Sequence, residues 1–264
     1  MASIRILHIG DVAAKTGMLA VKKLVPRIVA DRGVDFTVVN GENVAGGVGI
    51  TPELCKEILA QGVDVVTTGN HVWRQREIRT HIESEPRLLR PANFTPGQPG
   101  RGHGLYETPA GVKVGVVNLV GQVFMDPADN PFRAANEAVA ALSDAAIIVV
   151  DFHGEVTSEK RAMGFHLDGR VTAVLGTHTH VQTADEQILA GGTAYISDVG
   201  MTGPHDSVIG MRKDLVLERF VTGMPQSFKP AKGGGRIQGV LVHADTATGK
   251  ASSIERIDIP LQGS

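Results

Sequence analysis

The sequence predicts an α/β fold built on a largely parallel or mixed sheet with helices outside it. Short runs rich in Val and Ile recur along the chain and are bounded by Gly, Asp and Asn. Several of these runs are almost continuously apolar, which is typical of strands covered on both faces. Helical patterns lie between the runs, and this alternation favours a parallel or mixed sheet.

The apolar runs define the predicted strands. They cover residues 4–9, 36–39, 63–67, 112–119, 146–152, 171–175, 193–196, 237–243 and 253–259. The helical patterns cover residues 18–32, 75–83, 132–142, 158–166 and 213–221. A further helix begins after Thr51, which is a typical N-cap, with Pro52 in its first turn and Gly62 as its stop. Pro26 predicts that the first helix is bent or short.

Two segments interrupt this alternation. Residues 90–104 and 223–235 are rich in Pro and Gly. Long loops of this composition often form lids or substrate loops, but they can equally be mobile connections. We find no internal repeat and no clear linker, so we expect a single domain over residues 1–264.

Composition limits the classes of partner. The hydrophobic fraction of 42% is enough for a sizeable core, and the aromatic fraction of only 4% makes that core mostly aliphatic. The formal charge of −2 provides no electrostatic footprint for a nucleic-acid polymer or an anionic membrane. A bound phosphate would therefore need a local positive charge, and metal ions could supply it.

The sequence also predicts a cytoplasmic protein. Cys55 is the single cysteine, which excludes an internal disulfide and fits a reducing compartment. The first ten residues lack the pattern of a signal peptide. No stretch approaches the ~18 apolar residues of a membrane span.

Polar side chains follow successive predicted strands. In open α/β sheets, ligands bind just outside the carboxyl ends of the strands. We therefore expect these side chains to converge on one place: Asp11, Glu42, Asn43, Asn70, His71, His153, His178 and His180.

These residue types suit a pair of divalent transition metals. Imidazole and carboxylate groups bind Fe, Mn, Zn and similar ions, and no thiolate is available at these positions. His178 and His180 lie two residues apart, so an extended segment would direct both to the same side. Glu42 is the best candidate for a carboxylate that bridges two ions, and Asn70 could supply a neutral amide oxygen.

Each residue also has a purely structural interpretation. Asp11 could cap a helix, Glu42 could be a surface acid, and the asparagines are common turn residues. His153 could be a core histidine paired with Asp151. The two histidines separated by one residue are harder to explain in this way, so the set as a whole favours a metal site.

Several short motifs resemble those of a known superfamily. The segments GNH at 69–71 and GTHTH at 176–180 resemble the calcineurin-like metallophosphoesterases. Further segments are similar to one bacterial branch, the YmdB-like phosphodiesterases: GDV at 10–12, NGEN at 40–43, DFH at 151–153 and TGPHD at 202–206. The similarity extends from Ile4 to about Val242.

The sequence departs from the general superfamily pattern at two positions. The usual Asp-x-His motif lacks its histidine after Asp11, and Glu42 replaces the usual bridging aspartate. The YmdB-like branch has the same departures, and an asparagine takes the place of the missing histidine. Asn43 matches that asparagine, so the departures narrow the resemblance to this branch.

The resemblance implies a metallophosphoesterase-type sandwich of two mixed sheets flanked by helices. It implies a dinuclear centre of iron or manganese, with zinc and other ions as alternatives, and a homo-oligomer. By matched position, one metal would take Asp11, Glu42, Asn43 and His180. The second would take Glu42, Asn70, His153 and His178.

Two-metal chemistry predicts how such a centre would act. A bridging hydroxide would attack the phosphorus atom in line with the leaving oxygen. His71 would protonate that oxygen as a general acid. The alternative role for His71 is to orient a neighbouring metal ligand.

The leading functional hypothesis is hydrolysis of a small phosphodiester, with 2′,3′- or 3′,5′-cyclic nucleotides as substrates. A second hypothesis is phosphomonoesterase or nucleotidase activity, since the same centre can act on both kinds of ester. A third is a regulatory protein that binds nucleotide with little turnover. Loss of hydrolysis on Glu42→Gln would favour an enzyme over the regulator.

Overall fold

The computed structural model describes residues 3–262. The strands are β1 (Ser3–Ile9), β2 (Asp11–Val12), β3 (Phe36–Asn40), β4 (Val65–Thr67), β5 (His103–Glu107), β6 (Lys113–Val120), β7 (Ile147–His153), β8 (Ala173–Thr177), β9 (Gln187–Ile188), β10 (Ala194–Ile196), β11 (Met201–Pro204), β12 (Gly235–Asp245) and β13 (Ala251–Pro260). The helices are α1 (Ala14–Arg32), α2 (Pro52–Leu59), α3 (Ile78–Ser84), α4 (Pro131–Ala141), α5 (Thr157–Leu167) and α6 (Lys213–Thr222).

The strands form two mixed sheets. The seven-stranded sheet has the order β2-β11-β12-β1-β3-β4, and β13 pairs with β12. Within it β1, β3 and β4 are parallel, whereas β12 is antiparallel to β1. The six-stranded sheet has the order β5-β6-β7-β8-β10-β9. Its four inner strands are parallel, and the edge strands β5 and β9 are antiparallel to their neighbours.

The two sheets pack face to face, with helices on their outer faces. One buried cluster joins the sheets, for example Val38 of β3 with Val149 of β7. Two further clusters join α1 and α2 to the first sheet, and α4 and α5 to the second. In β7, Val149 faces the opposite sheet, whereas Val150 belongs to the cluster with the helices. Burial on both faces explains the continuous apolar runs, and the predicted sandwich is confirmed.

The structure differs from the predicted elements at several points. Pro26 lies inside α1, yet the helix runs unbroken over Ala14–Arg32, so it is not short. Pro26 is on the exposed face, where solvent can satisfy the carbonyl that loses its hydrogen-bond partner. The strands β2, β5, β9 and β11 were not predicted, since they lack β-branched runs. β5 takes up the end of the predicted loop 90–104 and pairs with β6 along five residue positions.

Between residues 3 and 262, no helix combines the length and the apolar character that crossing a membrane requires. The assignment of residues 1–264 to one domain stays a prediction, and residues 1, 2, 263 and 264 lie outside the described part of the chain.

Candidate metal centre

The eight predicted site residues lie together at the carboxyl ends of the strands. Asp11 belongs to β2, directly after β1, and His153 is the last residue of β7. Turns after β3, β4 and β8 carry the others: Glu42, Asn43, Asn70, His71, His178 and His180. The two sheets therefore each contribute side chains to this cluster, and these side chains converge in space as predicted.

A first group of atoms surrounds Nε2 of His153. Oε1 of Glu42 lies 3.1 Å from this nitrogen, and Oδ1 of Asn70 lies 3.1 Å from it. Nδ1 of His178 lies 3.0 Å from the same nitrogen. Carboxylate, amide and imidazole lone pairs thus face one point, and the donor set fits a divalent cation.

A second group of atoms contains Asp11, Asn43 and His180 and also contacts Glu42. Nε2 of His180 is 3.8 Å from Oδ1 of Asp11 and 3.2 Å from the amide nitrogen of Asn43. That amide nitrogen is 3.0 Å from Oε1 of Glu42, so Glu42 belongs to both groups. Oδ1 of Asp11 is buried without a hydrogen-bond partner. A buried carboxylate oxygen in this state is stabilised by a cation, which makes the second group another fit for a metal.

The second ring nitrogen of each of these three histidines also has a partner. Nδ1 of His153 lies 2.9 Å from the Thr177 hydroxyl, and Nδ1 of His180 lies 2.9 Å from the Ile209 carbonyl oxygen. Nε2 of His178 lies 3.0 Å from the carboxylate of Glu155. Outer contacts of this kind select the tautomer that directs a lone pair inward.

His71 occupies the rim of the centre. Its side chain is 28% exposed, and its Nδ1 lies 2.8 Å from the amide oxygen of Asn43. Its backbone N–H donates to Oε2 of Glu42 at 3.1 Å. Nε2 is therefore the ring nitrogen that remains for a bound molecule.

Burial and charge pairing shift the ionisation of the central residues. Burial raises the pKa of Asp11. Burial alone would also raise the pKa of Glu42, but the adjacent His153 outweighs it and holds that pKa well below its usual range. Burial disfavours the cationic form of His153, yet Glu42 and Asp11 raise its pKa to about 9. Burial, followed by the charge of His153, lowers the pKa of His178 to about 3. Without a metal, a proton on His153 thus supplies the positive charge between the two acids.

Close packing leaves little room at the centre. A Cβ atom added at Gly69 would lie 2.3 Å from the His153 ring and 2.4 Å from Oε2 of Glu42.

His178 and His180 both have positive φ angles, 100° and 65°. For residues other than glycine this conformation costs about 1–3 kcal/mol each, and it persists only where the surroundings enforce it.

A buried hydrogen-bond network that the sequence patterns did not indicate lies behind the eight site residues. Asp151 accepts hydrogen bonds from Thr67 at 2.5 Å, Thr177 at 2.6 Å and Asn40 at 3.1 Å. The interpretation of His153 as a partner of Asp151 therefore holds only through Thr177, which lies between them. The sequence does contain a signal for this network. Asp151 lies two residues before His153 on the same strand, so its side chain faces the same side of the sheet.

A family model described as YmdB-like protein matches residues 7–257. The chain belongs to the YmdB-like protein family. It is 46% identical over 254 residues to the 2′,3′-cyclic-nucleotide 2′-phosphodiesterase of Bacillus subtilis strain 168, covering 96% of each chain.

Solved structures agree with this membership. A novel phosphatase from Mycoplasma pneumoniae aligns with a TM-score of 0.93 at 34% identity, covering 98% of this chain and 94% of the other. The NAD nucleotidase of Haemophilus influenzae aligns with a TM-score of 0.58 at 10% identity, covering 98% of this chain and 56% of the other, and shows the fold alone. The predicted family, fold and metallophosphoesterase enzyme class are confirmed. The Glu42, His153 and His178 cluster and the YmdB-like family together support binding of a divalent metal.

Proposed function

We propose that this YmdB-like chain hydrolyses small phosphodiesters at a dinuclear metal centre and that cyclic nucleotides are its substrates. The observation that carries the proposal is that Glu42 is shared between two groups of ligand atoms. Each group combines carboxylate, amide and imidazole donors, which suit iron or manganese. Zinc and other divalent ions remain candidates on the same chemistry.

The grouping of these side chains supports the two sets of metal ligands that the family resemblance implies. One metal would be held by Asp11, Glu42, Asn43 and His180, and the other by Glu42, Asn70, His153 and His178. In the second group, which contains Asp11 and His180, the amide nitrogen of Asn43 faces Glu42 and His180. A half-turn of the amide would direct its oxygen to the metal and its nitrogen to His71.

The name of the Bacillus subtilis relative supports cyclic nucleotides as the substrates. That protein is a 2′,3′-cyclic-nucleotide 2′-phosphodiesterase, and it is similar to this chain along 96% of both lengths. We therefore place 2′,3′-cyclic nucleotides first and 3′,5′-cyclic nucleotides second. Opening either ring cleaves one phosphorus–oxygen bond, adds a water oxygen to phosphorus and leaves a ribose oxygen that must gain a proton to become a hydroxyl.

His71 is placed to supply that proton. Bound metals would neutralise phosphate charge and lower the pKa of a bound water. The chain itself must then protonate the leaving oxygen, and Nε2 of His71 is the ring nitrogen without a partner in the hydrogen-bond network. The contact between Nδ1 of His71 and Asn43 orients the ring and equally supports the alternative role of positioning that ligand.

Metal content and hydrolysis measured on the same samples test the proposal. We expect about two metals per chain and turnover of 2′,3′-cyclic AMP. His71→Ala should lower kcat by about 10²–10⁴-fold with both metals retained. His166→Ala, which changes a histidine on α5, is the matched control and should keep wild-type turnover. Fewer metals in His71→Ala would instead assign His71 to holding Asn43.

Phosphomonoesterase activity is the second candidate, because the structural neighbour from Mycoplasma pneumoniae is described as a phosphatase. Nucleoside 2′- and 3′-monophosphates assayed beside the cyclic esters separate the two. Two bound metals with no turnover of any ester would favour a nucleotide-binding regulator.

We also propose a homo-oligomer. Helix α6 and the turn after it expose a stripe of large apolar side chains: Leu217, Phe220, Val221 and Met224 are 57%, 79%, 82% and 63% exposed. Apolar stripes of this kind favour protein association. Light scattering on wild type and Phe220→Asp tests the proposal, and a monomeric wild type would contradict it.

A further inference from the structure

The segment that carries His178 and His180 is held in an unfavourable backbone conformation. The φ angles of these residues are 100° and 65°, and Thr179 lies between them. His178 belongs to one group of ligand atoms and His180 to the other. The conformation around Thr179 therefore sets how the two rings stand relative to each other, and neighbouring contacts must maintain it.

The backbone N–H of His178 donates to Oδ2 of Asp11 at 3.0 Å. The contacts of Thr179 end on the carboxylate of Asp198. Its Oδ2 accepts the backbone N–H of Thr179 at 3.0 Å and the Thr179 hydroxyl at 2.7 Å. Its Oδ1 accepts the backbone N–H of Gly200 at 2.9 Å. The backbone N–H of Asp198 donates to the Thr183 hydroxyl at 2.9 Å. With both oxygens engaged, the carboxylate holds Thr179 through its backbone and its side chain together.

A buried lysine balances the charge of this carboxylate. Nζ of Lys160, on α5, donates to Oδ2 of Asp198 at 2.8 Å. The two side chains are 2% and 1% exposed. Burying such a pair is costly, and well-packed apolar residues often stabilise a fold as well or better. A contribution to folding stability alone therefore does not account for the pair.

The backbone next to Asp198 supports the end of β8 directly. A Cβ atom added at Gly176 would lie 1.8 Å from the carbonyl oxygen of Ser197. The backbone N–H of Val199 donates to the carbonyl of Gly176 at 2.9 Å. Asp198 is thus fixed relative to the strand from which the two histidines extend.

We propose that Asp198, with its charge balanced by Lys160, is a positioning residue for both halves of the metal centre. It holds Thr179 and thereby places His178 and His180 on the two ligand groups. The inference rests on the proposed metal-dependent function, and it assigns a role to residues that supply no metal ligand themselves.

A purely structural role predicts a different outcome. If the pair only stabilised the fold, its replacement would change the melting temperature but leave metal affinity intact in the folded protein. Metal affinity and local backbone order therefore separate the two roles better than activity does.

The test uses two variants of the full chain. Asp198→Asn alone leaves Lys160 buried and unpaired, which can unfold the protein. The double variant Asp198→Leu with Lys160→Met removes both charges and the oxygens that hold Thr179, and Thr179→Val removes only one hydroxyl. Thr193→Val is the matched control, because it also removes a buried hydroxyl. Thr193 lies just before the start of β10, whereas Asp198 follows the end of that strand.

Mn²⁺ binding is measured by the loss of the electron paramagnetic resonance signal of the free ion. Backbone hydrogen exchange of residues 176–182 is measured on the metal-free protein. We expect the folded double variant to bind Mn²⁺ about 10–100-fold more weakly than wild type and to exchange faster in this segment. Thr179→Val should show a smaller loss of Mn²⁺ affinity and a smaller increase in hydrogen exchange. Thr193→Val should match wild type in both measurements.

Wild-type Mn²⁺ affinity and wild-type exchange in a folded double variant would overturn the inference and leave the proposed function intact. If the double variant does not fold, Thr179→Val decides in the same way: weaker binding supports the inference and unchanged binding overturns it. A wild-type chain that binds no Mn²⁺ would overturn both the metal centre and this inference.

Discussion

The hydroxyl of Thr177 joins His153 to Asp151. It donates its one proton to Oδ1 of Asp151 at 2.6 Å, so it must accept from Nδ1 of His153, which lies 2.9 Å away. On a neutral, metal-binding His153, that proton on Nδ1 would leave the lone pair on Nε2, the nitrogen that lies 3.1 Å from Glu42. A buried carboxylate thus sets the tautomer of His153 without touching it.

The first prediction concerns this hydrogen-bond relay. Thr177→Val removes the hydroxyl, so His153 loses the partner that selects its tautomer. We expect metal affinity to fall by about 10–100-fold, with kcat falling in parallel at limiting metal. Thr172→Val, which removes a buried hydroxyl just before the start of β8, is the control for stability and should keep metal affinity. Equal metal affinity in Thr177→Val and wild type would contradict the relay.

The second prediction concerns Gly69. An alanine here would place Cβ within 2.4 Å of both the His153 ring and Glu42. We expect Gly69→Ala to fold but to lose most bound metal, because the two ligands must separate. At Gly154, next to His153, the nearest atom to an added Cβ is 3.7 Å away, so Gly154→Ala should retain its metal. Metal analysis of both purified variants is the measurement, and full metal content in Gly69→Ala would refute the packing argument.

The third prediction concerns metal removal. Asp11 and Glu42 are both buried, and without a cation they rely on His153 for compensation. Chelation should therefore abolish hydrolysis and lower the melting temperature, which Mn²⁺ should restore. For each site, a metal at 1,000 times its Kd stabilises the folded state by about 4 kcal/mol. Differential scanning calorimetry with and without chelator measures this effect, and an unchanged transition would argue against a resident metal.

The fourth prediction compares an exposed and a buried partner of the site histidines, Glu155 and Thr177. Glu155 contacts Nε2 of His178, but its side chain is 48% exposed, so water can replace it. We expect Glu155→Gln to weaken metal binding by at most about tenfold, less than Thr177→Val does. Metal titrations of Glu155→Gln and Thr177→Val under the same conditions give the comparison. A larger loss of metal affinity in Glu155→Gln than in Thr177→Val would contradict this prediction.

The fifth prediction concerns stability away from the site. Pro26 occupies an exposed position inside α1, where it removes one helical hydrogen bond. Pro26→Ala should stabilise the protein by about 1–3 kcal/mol, because proline is unfavourable in a helix interior. Lys23→Ala on the same helix serves as the control and should change stability little. Chemical denaturation measures both, and a destabilised Pro26→Ala would show that the helix depends on the proline.

Much of the fold was predictable because its signals are local. The apolar runs of β1, β3, β6, β7 and β8 reflect burial on both faces, and Thr51 caps α2 by accepting from the backbone N–H of Leu54. Strands such as β2 and β11 were not predictable in this way. They are short, and they exist because Asp11 and Val12 pair in register with Met201 and Thr202 from a distant part of the chain.

Local sequence patterns are enough to show which residue types follow the strands, and they indicate the family, the fold and the kind of donor atoms at the site. How those side chains are held depends on contacts that form only in the folded chain. The contacts of Asp151 and Asp198 join residues from both sheets or from separate elements, and no local pattern records such pairs. The positive φ angles of His178 and His180 have the same origin, because contacts that form only in the folded chain enforce a conformation that local preference disfavours.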